Sequence, residues 1–323
     1  MRQLIFYVII ISFFSCGTET KKTPAKKPLN SIPTPIFNSD SAYSFVEKQV
    51  SFGSRVISSR AWDECSKYLE TKLKSYNADV KIQKAPVTTY DGKNHTLRNI
   101  IASFDSQNNN RVALFAHWDS RHIADHDTIN QDKPILGAND GGSGVGVLIE
   151  IARIINETKP KVGVDIILFD AEDYGQPENS KYPIMSDSWC LGAQHWSKNP
   201  HKKNYFAKYG ILLDMVGGKD AKFWQENIST YYASNIVNKV WNTAHNIGYS
   251  NYFIFKPSPQ IMDDHYYVNT VAGIPTIDII EYDPFSKNNF NKHWHTHADD
   301  MNNVHRETLK AVGQTVLEVI YSE

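Results

Sequence analysis

From Val145 to Tyr321 the chain alternates short, almost wholly apolar runs with longer stretches of helical periodicity, and few folds accept that order. The spacing predicts helices over 145–155, 188–196, 228–247 and 262–270, with a closing amphipathic helix over 304–321. Between them, 164–169, 211–215 and 274–280 read as strands. Upstream, Trp62, Cys65, Leu69 and Leu73 recur at three- and four-residue spacing behind Ser59, a suitable N-cap. Runs 80–87, 97–104 and 111–116 are strand-like, and the polar turn 105–110 predicts that the last two form a hairpin. The whole is an α/β pattern with helices on both faces of one sheet, a fold in which ligands gather beyond the carboxyl ends of the strands.

The chain has 323 residues and no internal repeat or long internal linker, so one catalytic domain is expected over 37–323. With 34 basic against 35 acidic side chains it offers no basic surface for nucleic acid. Residues 1–15 carry a charged start and an apolar run too short to span a bilayer, which predicts an export signal. The run ends at Ser15-Cys16-Gly17, which resembles a bacterial lipoprotein cleavage site. Cys16 would then be lipidated and the protein exported and membrane-anchored on the periplasmic or cell-surface side. Residues 16–36, rich in Thr, Lys, Pro and Ser, read as a flexible tether. Cys65 and Cys190 remain, and their pairing is left open.

Five polar clusters follow the strands. His117-Trp118-Asp119 emerges from the run 111–116. Asp140 lies in the glycine-rich stretch Gly137-Ala138-Asn139-Asp140-Gly141-Gly142-Ser143-Gly144, where the missing side chains let backbone approach whatever Asp140 holds. No Lys-Ser/Thr follows these glycines, which argues against a phosphate cradle. Strand 166–169 ends in Asp170-Ala171-Glu172-Asp173, where one acid can bind a cation while its neighbour stays free to move protons. Strand 211–213 ends in Asp214, and His293-Trp294-His295-Thr296-His297 precedes the last helix. A lone carboxylate at a strand end is usually a solvated loop residue, but His and carboxylate ligands beside a free Glu are what a hydrolytic zinc site needs.

These motifs resemble the M28 family of zinc peptidases over most of the chain after about Phe37. The resemblance implies a three-layer α/β/α sandwich around a twisted mixed sheet, zinc as cofactor, Asp140, Asp173 and His295 as ligands, and Glu172 as general base. His117 and Asp214 match the positions that, with a bridging Asp140, bind a second zinc in two-metal aminopeptidases. Ser188-Trp189-Cys190-Leu191-Gly192, Met262-Asp263-Asp264-His265 and Trp294-His295-Thr296 are similar to the glutaminyl cyclases, animal-type enzymes also found in bacteria. That likeness implies peptide or protein substrates with N-terminal glutamine, converted to pyroglutamate with release of ammonia. Trp189 and Trp294 would flank the substrate, and Asp263 would join Asp214 in a proton-handling network beside Glu172.

A Trp chosen blindly is more often core, but Trp294 adjoins an expected ligand; Asp263 also suits a helix N-cap. Two departures stand out. Asp173 replaces an expected Glu ligand, and Asp278, placed at the end of a strand, stands where the animal enzymes carry a histidine of the proton network. The loop 176–187 reads as a rim shaping access. Two alternatives stay open: a two-zinc aminopeptidase, since His117 and Asp214 are retained, and a catalytically inactive peptide-binding lipoprotein, whose mark would be loss of Glu172 or a ligand.

Overall fold

The computed structural model describes residues 33–323. The export signal 1–15, Cys16 and most of the tether lie outside the described residues. Within the stretch read as tether, Thr34 Oγ1 donates to Glu318 at 2.7 Å and Gln314 donates to the Pro35 carbonyl at 3.1 Å.

Strands β1 (Asp79–Thr88), β2 (Asn94–Phe104), β3 (Arg111–His117), β4 (Gly163–Phe169), β5 (Gly210–Asp214) and β8 (Thr276–Ile280) form one mixed sheet in the order β1-β2-β4-β3-β5-β8. The four strands β4, β3, β5 and β8 are parallel, and β2 runs against both β1 and β4. Two strands the sequence did not suggest, β6 (Phe223–Gln225) and β7 (Phe253–Pro257), pair separately.

Side-chain alternation divides the core between the sheet's two faces. Val112, Leu114 and Ala116 of β3, with Ile211 and Leu213 of β5, face one apolar cluster. It is covered by α1 (Ser39–Val50), α2 (Arg60–Ser75), α3 (Gly142–Glu157), α5 (Asn227–Asn246) and α7 (Arg306–Tyr321). Ala113, Phe115, Ile167, Phe169 and Leu212 face the other cluster, beneath α4 (Leu191–Lys198) and α6 (Asp264–Tyr267). There the Phe115 and Phe169 rings stack at 5.4 Å, and Trp196 of α4 meets Phe115 edge-on. The expected three-layer α/β/α arrangement is therefore present.

The expected hairpin is not formed. β4 lies between β2 and β3, so that Ile100 opposes Leu168 while Ala116 opposes Leu168 from the other side. β3, apolar on both faces, takes a central position between two parallel partners. The turn 105–110 is long enough to step over one strand, a span of about 9.5 Å. Cys65 and Cys190 are both free, and they belong to the clusters on opposite faces of the sheet, which rules out pairing between them.

Ser59 caps α2 as expected, accepting from the Trp62 amide. The helix expected from Ser188 begins only at Leu191, because Cys190 takes a left-handed φ of 57° at the cap. The stretch expected as helix over 262–270 is α6 followed by a π-turn over Val268–Ala272.

The base of the sheet holds a buried ion pair. Arg111 Nη2 donates to Asp165 Oδ1 at 2.7 Å, and Tyr205 and Ser103 hydroxyls donate to the same carboxylate. Asp165→Ala is expected to cost about 3–5 kcal/mol, because it leaves the guanidinium buried without its counter-charge. The loss would show as a lower denaturant midpoint with unchanged slope.

Candidate active site

At the carboxyl ends of β3, β4 and β5 the chain turns sharply. Ala171 and Met215, just beyond β4 and β5, have φ of 53° and 48°. Asp119 ties two of these exits together. Its carboxylate oxygens accept the amides of Glu172 at 3.1 Å and Asp173 at 3.2 Å, so it orients the acids beyond β4 instead of binding in their place. Asp299 does the same for the glycine loop, accepting from the Asn139 and Asp140 amides at 2.7 and 3.1 Å. Gly141, with φ of 78°, lets this loop close on β3. A Cβ there would lie 2.6 Å from the Asp119 carbonyl oxygen and 2.9 Å from His117 Cε1.

These supports bring Asp140, Asp173 and His295 together, buried, with donor atoms all within 4.8 Å of one another. His295 Nε2 lies 3.3 Å from Asp173 Oδ1 and 3.8 Å from Asp140 Oδ2. Its other ring nitrogen faces Asp125 Oδ1 at 3.2 Å, and Asp125 is gripped by Arg121 through two hydrogen bonds of 2.8 and 2.6 Å. A histidine backed by a carboxylate is the usual support of a metal ligand. His117 Nε2 lies 3.0 Å from Asp140 Oδ1 and 3.2 Å from Asp214 Oδ1, so the second candidate group, His117, Asp140 and Asp214, is also assembled.

The electrostatics of this cluster fit a cation. Both Asp173 oxygens are buried without a hydrogen-bond partner. Burial, then the Asp140 charge, pushes Asp173 up to about 6. Burial also raises Asp214 to about 7 and Glu172 well above the usual carboxyl range. Asp140 stays lowered, because the His117 hydrogen bond and the nearby positive charges outweigh burial. A divalent ion would relieve the mutual repulsion, and three N/O donors beside an open cavity are the donor set of a catalytic zinc.

That cavity has a volume of about 390 Å³ and is lined by Asp140, Glu172, Asp173, Asp214, Asp263 and His295 together with Trp189, Trp294, Phe290 and Met262. Trp294 stacks on His295 at 3.8 Å, and Trp189 lies parallel to the same ring at 5.9 Å. Both indoles are partly exposed, as walls of the cavity and not core aromatics. Gly175 makes room for the Trp189 ring, since a Cβ there would fall 1.8 Å from its Cδ2.

Asp263 is 4% exposed and has two positions to serve. It caps α6 by accepting from the Asp264 amide, and its Oδ2 is buried without a partner. Asp263 groups with Glu172 on one side and with His265 and Asp278 on the other. Asp278 lies in the middle of β8, fully buried, rather than at the strand's end. Burial, then the Asp263 charge, raises it well above the ordinary range. Behind it, His265 Nε2 meets Glu226 Oε2 at 3.1 Å. Asp214 contacts His117, and the Asp263 charge contributes to raising Asp214 as well as Asp278.

The loop 176–187 contributes no residue to this cavity wall, which is instead built from 259–262 and 288–290. Sequence reasoning also passed over Asp125, Asp299 and Cys190. Asp299 carried a signal, four residues beyond His295; Asp125 carried none beyond its place after Arg121. Cys190 Sγ donates to Glu172 Oε1 at 3.2 Å.

The chain is similar to several known proteins. A Zn-dependent exopeptidase from Parabacteroides distasonis is 54% identical, with a TM-score of 0.89 over 90% of this chain and 100% of that one. The Tannerella forsythia glutaminyl cyclase is 51% identical, with a TM-score of 0.88 and the same coverage of both chains. A glutaminyl cyclase from Bacteroides thetaiotaomicron, solved with N-acetylhistamine bound, is 48% identical with a TM-score of 0.88 over 90% of this chain and 100% of that one. Among curated proteins, aminopeptidase YwaD of Bacillus subtilis is 26% identical over 71% of this chain and 45% of its own length. The chain spans about half the length of the first curated relatives it matches. The model of peptidase family M28 matches residues 99–320, and the chain belongs to that family.

Proposed function

We propose that this protein is a zinc-dependent glutaminyl-peptide cyclotransferase, which closes an N-terminal glutamine to pyroglutamate and releases ammonia. The observation that carries the reading is a second buried carboxyl, Asp263, beside Glu172 in one small cavity walled by Trp189 and Trp294. One shuttling carboxyl, Glu172, can serve hydrolysis or cyclisation alike, and Asp263 adds an acceptor beside it that can hold an N–H of a folded-back glutamine. The glutaminyl cyclases among the similar solved structures support the same reading.

An N-terminal glutamine brings its own nucleophile. In a cavity of about 390 Å³ the side chain can fold back until the α-amine meets the γ-carboxamide carbon. The two indoles would hold this folded form and exclude water, so that cyclisation outruns hydrolysis. Asp140, Asp173 and His295 would hold zinc, which supplies Lewis acidity toward the γ-carbonyl oxygen when bound. Glu172 takes the proton from the attacking amine and returns it to the leaving nitrogen, which departs as ammonia. Asp263 accepts a hydrogen bond from that nitrogen. Asp278, raised by burial and then by the Asp263 charge, would keep its proton beside that side chain.

The assembled His117, Asp140 and Asp214 group favours one second reading, a two-metal aminopeptidase. The test is the product formed from Gln-Ala and Leu-Ala by soluble protein beginning near Pro33. Ammonia and pyroglutamyl-Ala from the first, with Leu-Ala untouched, are expected; free leucine would make it an aminopeptidase, and no turnover of either would favour a binding protein. The sequence of residues 1–36 supports export and anchoring through a lipidated Cys16, which would place the enzyme among newly exported chains. Globomycin-sensitive processing, or palmitate labelling lost on Cys16→Ala, checks that placement.

A further inference from the structure

We propose that Cys190 is a positioning residue for Glu172: its thiol fixes one carboxyl oxygen so that the other faces the cavity. The inference rests on the cyclase reading above, in which Glu172 moves the proton.

Among the described residues, the Glu172 carboxyl makes one hydrogen bond, from Cys190 Sγ to Oε1 at 3.2 Å. The Asp119 contact holds only the Glu172 amide, which sets the backbone and leaves the side-chain torsions free. A glutamate has three such torsions, and a base that rotates among them delivers its oxygen to the substrate only part of the time. Bonding Oε1 to a fixed donor leaves Oε2 for the substrate. Glu172, 9% exposed, does line the cavity, while Cys190, 1% exposed, stays behind it.

The donor itself is held. The Cys190 amide donates to the Glu172 carbonyl at 3.0 Å, and the following Leu191 amide donates to the Ala171 carbonyl at 3.1 Å, so the two segments are stitched antiparallel at this point. Cys190 then takes a φ of 57° and opens α4, with the Gln194 amide returning to its carbonyl at 2.9 Å. Gly192 allows α4 to press against β4, since a Cβ there would lie 2.3 Å from the Asp170 carbonyl oxygen. The thiol thus rides on a rigid element anchored to the strand exit that carries Glu172. A thiol is also a weak donor, which orients the carboxylate without binding its proton-accepting capacity tightly.

The test compares Cys190→Ala, Cys190→Ser and Glu172→Gln in zinc-loaded enzyme. Cys190→Ala is expected to lower kcat about tenfold with KM little changed, as loss of one positioning hydrogen bond should. Cys190→Ser keeps a donor at nearly the same place and is expected to recover most of that loss. Thermal midpoints and zinc content report separately on folding. The proposal is overturned if Cys190→Ala keeps its kcat, or if Ser is as impaired as Ala, which would make the sulfur's role one of filling space. If Glu172→Gln itself stays active, the cyclase mechanism fails first, and the two failures are told apart.

Discussion

Glu172→Gln is expected to lower turnover of Gln-Ala about a hundredfold to ten-thousandfold, the usual contribution of a positioned acid–base group. The substitution keeps shape and removes the ability to carry a proton. Glu172 is not among the three donors grouped at His295, so zinc content should stay at the wild-type level, and KM should move little. Loss of zinc from the variant would instead make Glu172 a ligand. The folded protein should tolerate the change, because burial already raises this carboxyl well above its ordinary range and an amide removes that penalty. A thermal midpoint at or above that of the wild type is the expected companion result.

Removing zinc is expected to abolish turnover, and returning it to restore activity. Without the ion, the charges of Asp140 and Asp173 in this buried cluster are only partly offset by His117, His295 and Arg121, so the metal should also stabilise the fold. At a thousandfold excess over its dissociation constant it would contribute about 4 kcal/mol, read as a higher thermal midpoint. Asp125→Asn, which weakens the support of His295 without touching the cavity, is expected to lower zinc affinity about 10- to 100-fold. The zinc-loaded variant should cyclise nearly normally. An unchanged affinity would mean that Asp125 serves Arg121 alone.

Much of this protein is readable along the chain, because strands and ligands announce themselves locally. Apolar runs such as 164–169 and 211–213 end at residues that the structure places in the cavity lining, and a strand exit is where a parallel sheet leaves backbone and side chains free. Asp140, Asp173 and His295 were therefore nameable from motif and position, and the structure groups them. Whether those residues perform the assigned roles is what the Glu172→Gln and zinc experiments decide.

Other features depend on contacts that sequence distance conceals. The sequence suggested a hairpin for β2 and β3 because a polar turn joins them; only the sheet, by giving β3 parallel neighbours on both sides, placed β4 between. Asp278 looked like a strand-end residue beside the site, and packing set it inside β8 against Asp263 and His265. Asp125, far upstream of His295, and Cys190, 18 residues after Glu172, became partners because loops meet beyond the carboxyl ends of the central strands. The sequence by itself determined most of the helices and strands, since propensity and periodicity act over a few residues, and its resemblance to the M28 zinc peptidases named the candidate ligands. The tertiary structure alone decided strand order and which groups hold those residues in place, since hydrogen bonds between buried polar groups form wherever the fold brings donor and acceptor together.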